Sequence, residues 1–170
     1  TRAAALGFVT AVLPAAELLK NASTLTDNPF LKKYIASRAD ALLTDNYFDA
    51  DVDWIDLKES DIGFYIAPYE VYEDRLMGIK AFYEGSVGMV DKEESRRLDL
   101  YTSHLDELEQ NLPYEEKYKR SRKGLASPMV VLNEIIRGGV VATGYQAVAT
   151  NLPNDPKVTL TKGTKKVFWK

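Results

Sequence analysis

The sequence predicts an α+β fold in which helices pack on a largely antiparallel β-sheet. Over 98–112, Leu98, Tyr101, Leu105, Leu108 and Leu112 recur in alternating steps of three and four, the spacing of one helix face. From Ile62 to Val90 the chain reads instead as extended segments rich in Tyr, Phe, Ile and Val, turned at Met77-Gly78. The 170 residues, 45% hydrophobic and 28% charged, suffice for one core, and no repeat, low-complexity tract or linker divides them, so 1–170 is expected to be a single domain.

The chain opens on an apolar run, Ala3 to Leu13, followed by Pro14 and an amphipathic turn to Leu19. The run is too short to span a bilayer, and its continuation predicts a core helix kinked or restarted at Pro14 rather than a signal peptide. Asn28 as N-cap and Pro29 as first helical residue start a helix over 29–44 with Leu31, Tyr34, Ile35, Leu42 and Leu43 on one face. The alternation V-D-W-I-D-L predicts a strand at 52–57 that buries Trp54, and Lys58 to Asp61 turns into strands at 62–74 and 79–90. A helix is expected over 92–112, with acids first and bases next. Ser127, Pro128 and Gly138-Gly139 frame a short helix over 128–137 carrying Val131, Leu132, Ile135 and Ile136. From 140 to 150 the chain reads as a strand, and its last segment as a hairpin turning near Lys162-Gly163.

Composition excludes several functions. A net charge of -3 and a pI near 5.3 offer no basic surface for phosphates, and the five bases between Lys117 and Lys123 sit among acids in what reads as a solvated loop, so neither nucleic acid nor membrane is an expected partner. Without cysteine there is no thiolate chemistry and no Cys-based zinc site. His104 has no second imidazole to work with; it reads as a boundary histidine hydrogen-bonded to a neighbour, and the chain alone is expected to hold no stoichiometric zinc.

The period of two in the extended stretch sets Glu70, Tyr72 and Asp74 on one face, and Lys80, Phe82 and Glu84 on one face. Two carboxylates, a phenol and an ammonium would converge there; the plainer alternative is that these charges only face water.

Glu70-Val71-Tyr72-Glu73-Asp74, then Gly78, then Tyr83-Glu84-Gly85-Ser86-Val87 resemble the Glu-x-Tyr-x-Asp…Gly…aromatic-Glu-Gly-x-Val signature of the dipeptidyl peptidase III family of zinc metallopeptidases, bacterial branch. Asn111-Leu112-Pro113 and Thr150-Asn151-Leu152-Pro153-Asn154-Asp155 resemble, in the same order, that family's (Ile/Leu)-Pro-Asn substrate loop. The resemblance covers roughly Leu25 to Lys170; Arg75-Leu76-Met77 and Ala81-Phe82 depart from it. It implies that the sheet is partly barrel-like and that the activity is release of dipeptides from peptide N-termini. It also implies that Tyr72 donates to the scissile carbonyl as the catalytic phenol, while Glu70, Asn151 and Asn154 hold the free amino end of the substrate.

The family's zinc helix and later glutamate ligand correspond to positions beyond Lys170, so the expected cofactor of this chain is none, zinc belonging to the full-length family. Expected partners are peptides with a free amino terminus and the portion that carries the zinc helix. Two readings follow: the substrate-binding portion of a zinc-dependent dipeptidyl peptidase, inactive alone, or a non-catalytic peptide-binding module derived from that family. A cytoplasmic location is expected, with a secreted or periplasmic one left open. Under either reading, strand 62–74 must lie next to the segment leading into Asn151.

Overall fold

The computed structural model describes residues 2–70, 81–119, 125, 127–142 and 147–170, apart from the side chains of 2–9, 70 and 140. Helix α1 (Arg2–Ser23) is continuous, with Pro14 inside it, so the chain does not restart there. Pro14 is on the exposed side of the helix. Val12 and Ala16 of this helix are buried with Leu42.

Helix α2 (Pro29–Thr44) starts as its capping residues dictate: the Asn28 side chain accepts from the Leu31 N–H at 2.9 Å, and Pro29 begins the first turn. Its buried face includes Leu31, Tyr34, Ile35 and Leu42, as expected, but also Arg38, while Leu43 is exposed. Helix α3 (Phe48–Ile55) replaces the strand expected at 52–57. Its buried Ala50, Asp51, Trp54 and Ile55 stand at one-turn spacing, and Asp49 and Asp51 favour the positive end of its dipole; Trp54 is buried as expected, but on a helix.

Five strands form one sheet in the order β1-β2-β3-β5-β4: β1 (Ile62–Glu70), β2 (Phe82–Val90), β3 (Met129–Gly139), β4 (Ala149–Leu152) and β5 (Lys165–Trp169). All neighbours are antiparallel except β3 and β5. Strands β1 and β2 pair from Ile62 opposite Met89 to Glu70 opposite Phe82; residues 71–74 and 79–80 of the expected strands lie outside the described residues. The sheet is not closed into a barrel: among the described residues β1 and β4 are its two edges and do not pair with each other.

Strand β3 overturns the expected helix at 128–137. Its run of Val and Ile packs on a pleated surface at no rotamer cost, and Gly138-Gly139 is not a helix cap. Gly139, with φ 74°, lets the chain pass where an added Cβ would sit 2.0 Å from the Tyr83 carbonyl oxygen. Of the strand expected at 140–150, Val140–Ala142 is instead a 3-10 turn and 149–150 belong to β4, while 143–146 lie outside the described residues. The expected C-terminal hairpin is instead helix α6 (Pro156–Thr161) followed by β5: the Asp155 side chain accepts from the Lys157 N–H at 2.8 Å, an N-cap with proline behind it.

The expected helix over 92–112 is two helices, α4 (Lys92–Ser103) and α5 (Leu105–Gln110), broken at His104. His104 is exposed and its Nδ1 lies 3.0 Å from Glu107. Of the stripe, Tyr101, Leu108 and Leu112 are exposed and Leu98 and Leu105 only half-buried, so the most regular stripe in the sequence does not line the core. That core lies between the sheet and α2 and α3, around Tyr34, Trp54, Tyr65, Leu132, Leu152 and Val167. Lys165 also points into it: its buried Nζ donates to the Trp54 carbonyl at the end of α3, at 2.9 Å, and lies 5.2 Å from the Trp54 ring centre. Burial lowers this ammonium to about 8, Asp56 opposing the shift from a distance while itself paired with Lys162 at 2.7 Å.

Candidate functional site

The loop after β4 is placed by two neighbours in sequence. Leu152 and Pro153 are buried, with a cis peptide between them, and Asp155 caps α6, so Asn151 and Asn154 flank a fixed apolar pair and both stay exposed. Asn154 Nδ2 donates to the Tyr69 carbonyl oxygen at 3.3 Å, across 85 positions of sequence. Strand β1 and the Asn151 segment are therefore not hydrogen-bonded neighbours in the sheet, yet the end of β1 and the loop meet through this side chain. Asn151 lies on β4, opposite Lys166 of β5.

Of the other sequence candidates, Glu70 is the last residue of β1, one peptide beyond the Tyr69 carbonyl. Its side chain, and the whole of Tyr72, Asp74 and Lys80, lie outside what is described. Glu84 is buried on β2 and so does not face water, whereas Phe82 is partly exposed.

Sequence reasoning missed what lies under the end of β1. Arg38, wholly buried, donates through Nη2 to Asp51 Oδ1 at 2.7 Å and to the Tyr69 hydroxyl at 3.2 Å, and that hydroxyl donates to the same Asp51 oxygen at 2.5 Å. The guanidinium is boxed by the rings of Tyr34, Tyr47 and Tyr69, with centres 5.4, 5.6 and 5.9 Å away. Burial opposes its charge, but the surrounding Tyr34, Tyr69 and Asp51 outweigh that and raise it above its ordinary value, so it stays a cation. Burial pushes the Asp51 carboxyl up, against Arg38 and Tyr69, and holds the Tyr69 phenol well above its ordinary value, so the phenol remains a donor. Tyr34 reaches the Phe64 carbonyl of β1 at 3.0 Å. The signal was present in the sequence, since Arg38 stands seven residues after Leu31 on the apolar face of α2.

Two concavities of about 480 and 500 Å³ open elsewhere, one walled by Trp54, Tyr65 and Lys165, the other by Leu18, Tyr83 and Ile136; neither is lined by Asn151 or Asn154. Among the described residues no three His, Cys, Asp or Glu side chains are grouped to hold a metal ion. The described donor set therefore does not fit the zinc that the family implies.

Peptidase family M49 matches residues 4–169. A dipeptidyl peptidase III structure from Caldithrix abyssi is 44% identical, with a TM-score of 0.84 over 93% of this chain and 30% of that one. A dipeptidyl-peptidase III structure from Corallococcus sp. strain EGB is 38% identical, with a TM-score of 0.86 over 92% of this chain and 29% of that one. Nudix hydrolase 3 of Arabidopsis thaliana is 41% identical over 156 residues, 92% of this chain and 20% of the plant protein. The chain thus spans less than a third of the length of each of these relatives. A match over nearly its whole length, with the same fold at these identities, places the chain in peptidase family M49, the dipeptidyl peptidase III family.

Proposed function

We propose that this chain forms the substrate-binding portion of a dipeptidyl peptidase, which releases dipeptides from peptide N-termini. In this reading the Glu70 carboxylate and the amide oxygens of Asn151 and Asn154 accept from the peptide's α-ammonium. Tyr72 donates its phenolic proton to the scissile carbonyl as negative charge develops there. The chemistry that activates water belongs to residues outside this chain.

The observation that supports the reading is the hydrogen bond from Asn154 Nδ2 to the Tyr69 carbonyl. It joins the two family motifs at the residue before Glu70, and with one N–H of the amide held by the backbone, the Oδ1 atom is the one that can accept from an ammonium.

The test is a titration of one tetrapeptide, with its amine free and N-acetylated, against the chain and against Glu70→Ala. The free peptide should bind about tenfold more tightly to the unaltered chain, the worth of one charge-assisted bond. Glu70→Ala should remove most of that preference. Equal binding of the two peptides, or a preference untouched by Glu70→Ala, refutes the assignment.

A further inference from the structure

We propose that Arg38, Asp51 and the phenol of Tyr69 are positioning residues for the subsite that receives a peptide's amino end, acting through the Tyr69 carbonyl on Asn154. The inference rests on the function proposed above.

The side chain of Tyr69 is fixed at its far end, its hydroxyl donating to Asp51 at 2.5 Å while accepting from Arg38 at 3.2 Å. The pair is itself joined at 2.7 Å, and it ties α2 and α3 to the last turn of strand β1. A ring held in this way leaves the backbone at Tyr69 little freedom, and that backbone carries two things: the carbonyl that receives Asn154 Nδ2, and the peptide bond into Glu70. If the carbonyl moves, the Asn154 amide is released and can turn its NH2 outward. A donor would then face the donor of an incoming ammonium, which reverses the sign of the contact.

The composition of the network argues in the same direction. A hydrophobic core at this place would need no charge, and burying an ion pair contributes little stability over an apolar replacement of the same volume. Here it also leaves Arg38 Nε and Nη1 buried with no hydrogen-bond partner among the described residues. What the charges supply is direction: two fixed bonds to one hydroxyl define where the Tyr69 ring, and so its carbonyl, must sit.

Tyr69→Phe tests this, since it removes the hydroxyl and keeps the ring. The free and N-acetylated tetrapeptides are titrated against the 170-residue chain, against Tyr69→Phe and against Glu70→Ala, with circular dichroism to establish folding. The expected result is a folded variant in which the preference for the free amine falls from about tenfold to about twofold or less, with little change for the acetylated peptide. A network serving stability alone lowers the melting temperature and leaves the preference intact, which overturns the proposal. If Glu70→Ala abolishes the preference while Tyr69→Phe retains it, positioning fails and the proposed function stands. If the unaltered chain shows no preference, both fall.

A second readout needs no peptide. The side-chain amide of Asn154, observed by ¹H–¹⁵N NMR, should exchange slowly with solvent in the unaltered chain and approach free-amide behaviour in Tyr69→Phe. The same release is expected in Asp51→Ala, which removes the acceptor that holds the phenol. An Asn154 amide indifferent to both substitutions overturns the proposal.

Discussion

Replacing Lys165 by Met should stabilise the protein at neutral pH and lose that advantage as the solution becomes alkaline. The ammonium is buried at the end of α3 with one hydrogen bond, to Trp54, and no carboxylate pairs with it among the described residues. Its fall from 10.5 to about 8, at about 1.36 kcal/mol per pH unit, corresponds to a penalty of about 3 kcal/mol for keeping the folded chain protonated at pH 7. Methionine preserves the length and apolar stem of the side chain. The lost hydrogen bond costs about 1 kcal/mol, and the Trp54 carbonyl still accepts from the Leu57 N–H at 3.3 Å. The net expectation is a gain of about 2 kcal/mol at pH 7.

The pH dependence has a definite sign. Because the folded pKa lies below the unfolded one, the unfolded chain binds the proton more tightly between about 8 and 10.5, and the stability of the unaltered protein rises with pH through that window relative to the variant. Below 8 both states are protonated and the difference is flat. The advantage of Lys165→Met should therefore be gone near pH 10. Urea unfolding of both proteins from pH 6 to 10, compared pairwise so that other groups cancel, measures it. A difference independent of pH, or a variant less stable at pH 7, refutes the account of Lys165 as an unpaired buried cation.

Two further substitutions probe the frame. Gly139→Ala should destabilise by about 3 kcal/mol, combining a left-handed backbone with a clash against main chain, since the added Cβ would lie 2.0 Å from the Tyr83 oxygen at φ 74°; a melting temperature within a degree of the unaltered protein contradicts this. Arg38→Met should cost about 3–5 kcal/mol by leaving the Asp51 carboxylate buried alone, and Arg38→Met with Asp51→Leu should recover much of it. Denaturant unfolding that finds the double variant no more stable than Arg38→Met alone contradicts the independence of stability from the ion pair.

The elements that were legible in the sequence carry two agreeing local signals. Helix α2 has both an Asn-Pro start and an apolar face, and β1 and β2 have aromatic and β-branched residues on either side of the Met77-Gly78 turn signal in the sequence. The errors arise where one local signal had two meanings. Six residues of alternation at 52–57 are less than two helical turns, and Asp51, Trp54 and Ile55 satisfy a helical spacing just as well once the helix is extended back to Phe48. At β3, Ser127-Pro128 and Gly138-Gly139 imitate helix caps, and only the cross-strand pairing, Val87 opposite Ile136 and Val131 opposite Phe168, decides for a strand. At α6 the Asp155-Pro156 pair begins a helix, although the same pair also favours a turn.

The candidate site divides along the same line. Asn151 and Asn154 were visible because they stand in an ordered motif, and the loop's contact with β1 followed as a requirement of the resemblance rather than of any periodicity. Arg38 and Asp51 belong to no such motif: each is a charged residue on a helix, and water is the default neighbour for such a residue. Only their joint placement shows otherwise, Arg38 on the apolar stripe of α2 and Asp51 one turn before Trp54 on α3, both aimed at the hydroxyl of one strand tyrosine. A cation on an apolar helix face has to find its counter-charge on whatever element covers that face. In this sequence the next helix offers it thirteen residues later. Applied at the outset, that requirement would have packed α3 on α2 as a helix and drawn the end of β1 to the pair before any tertiary structure was known.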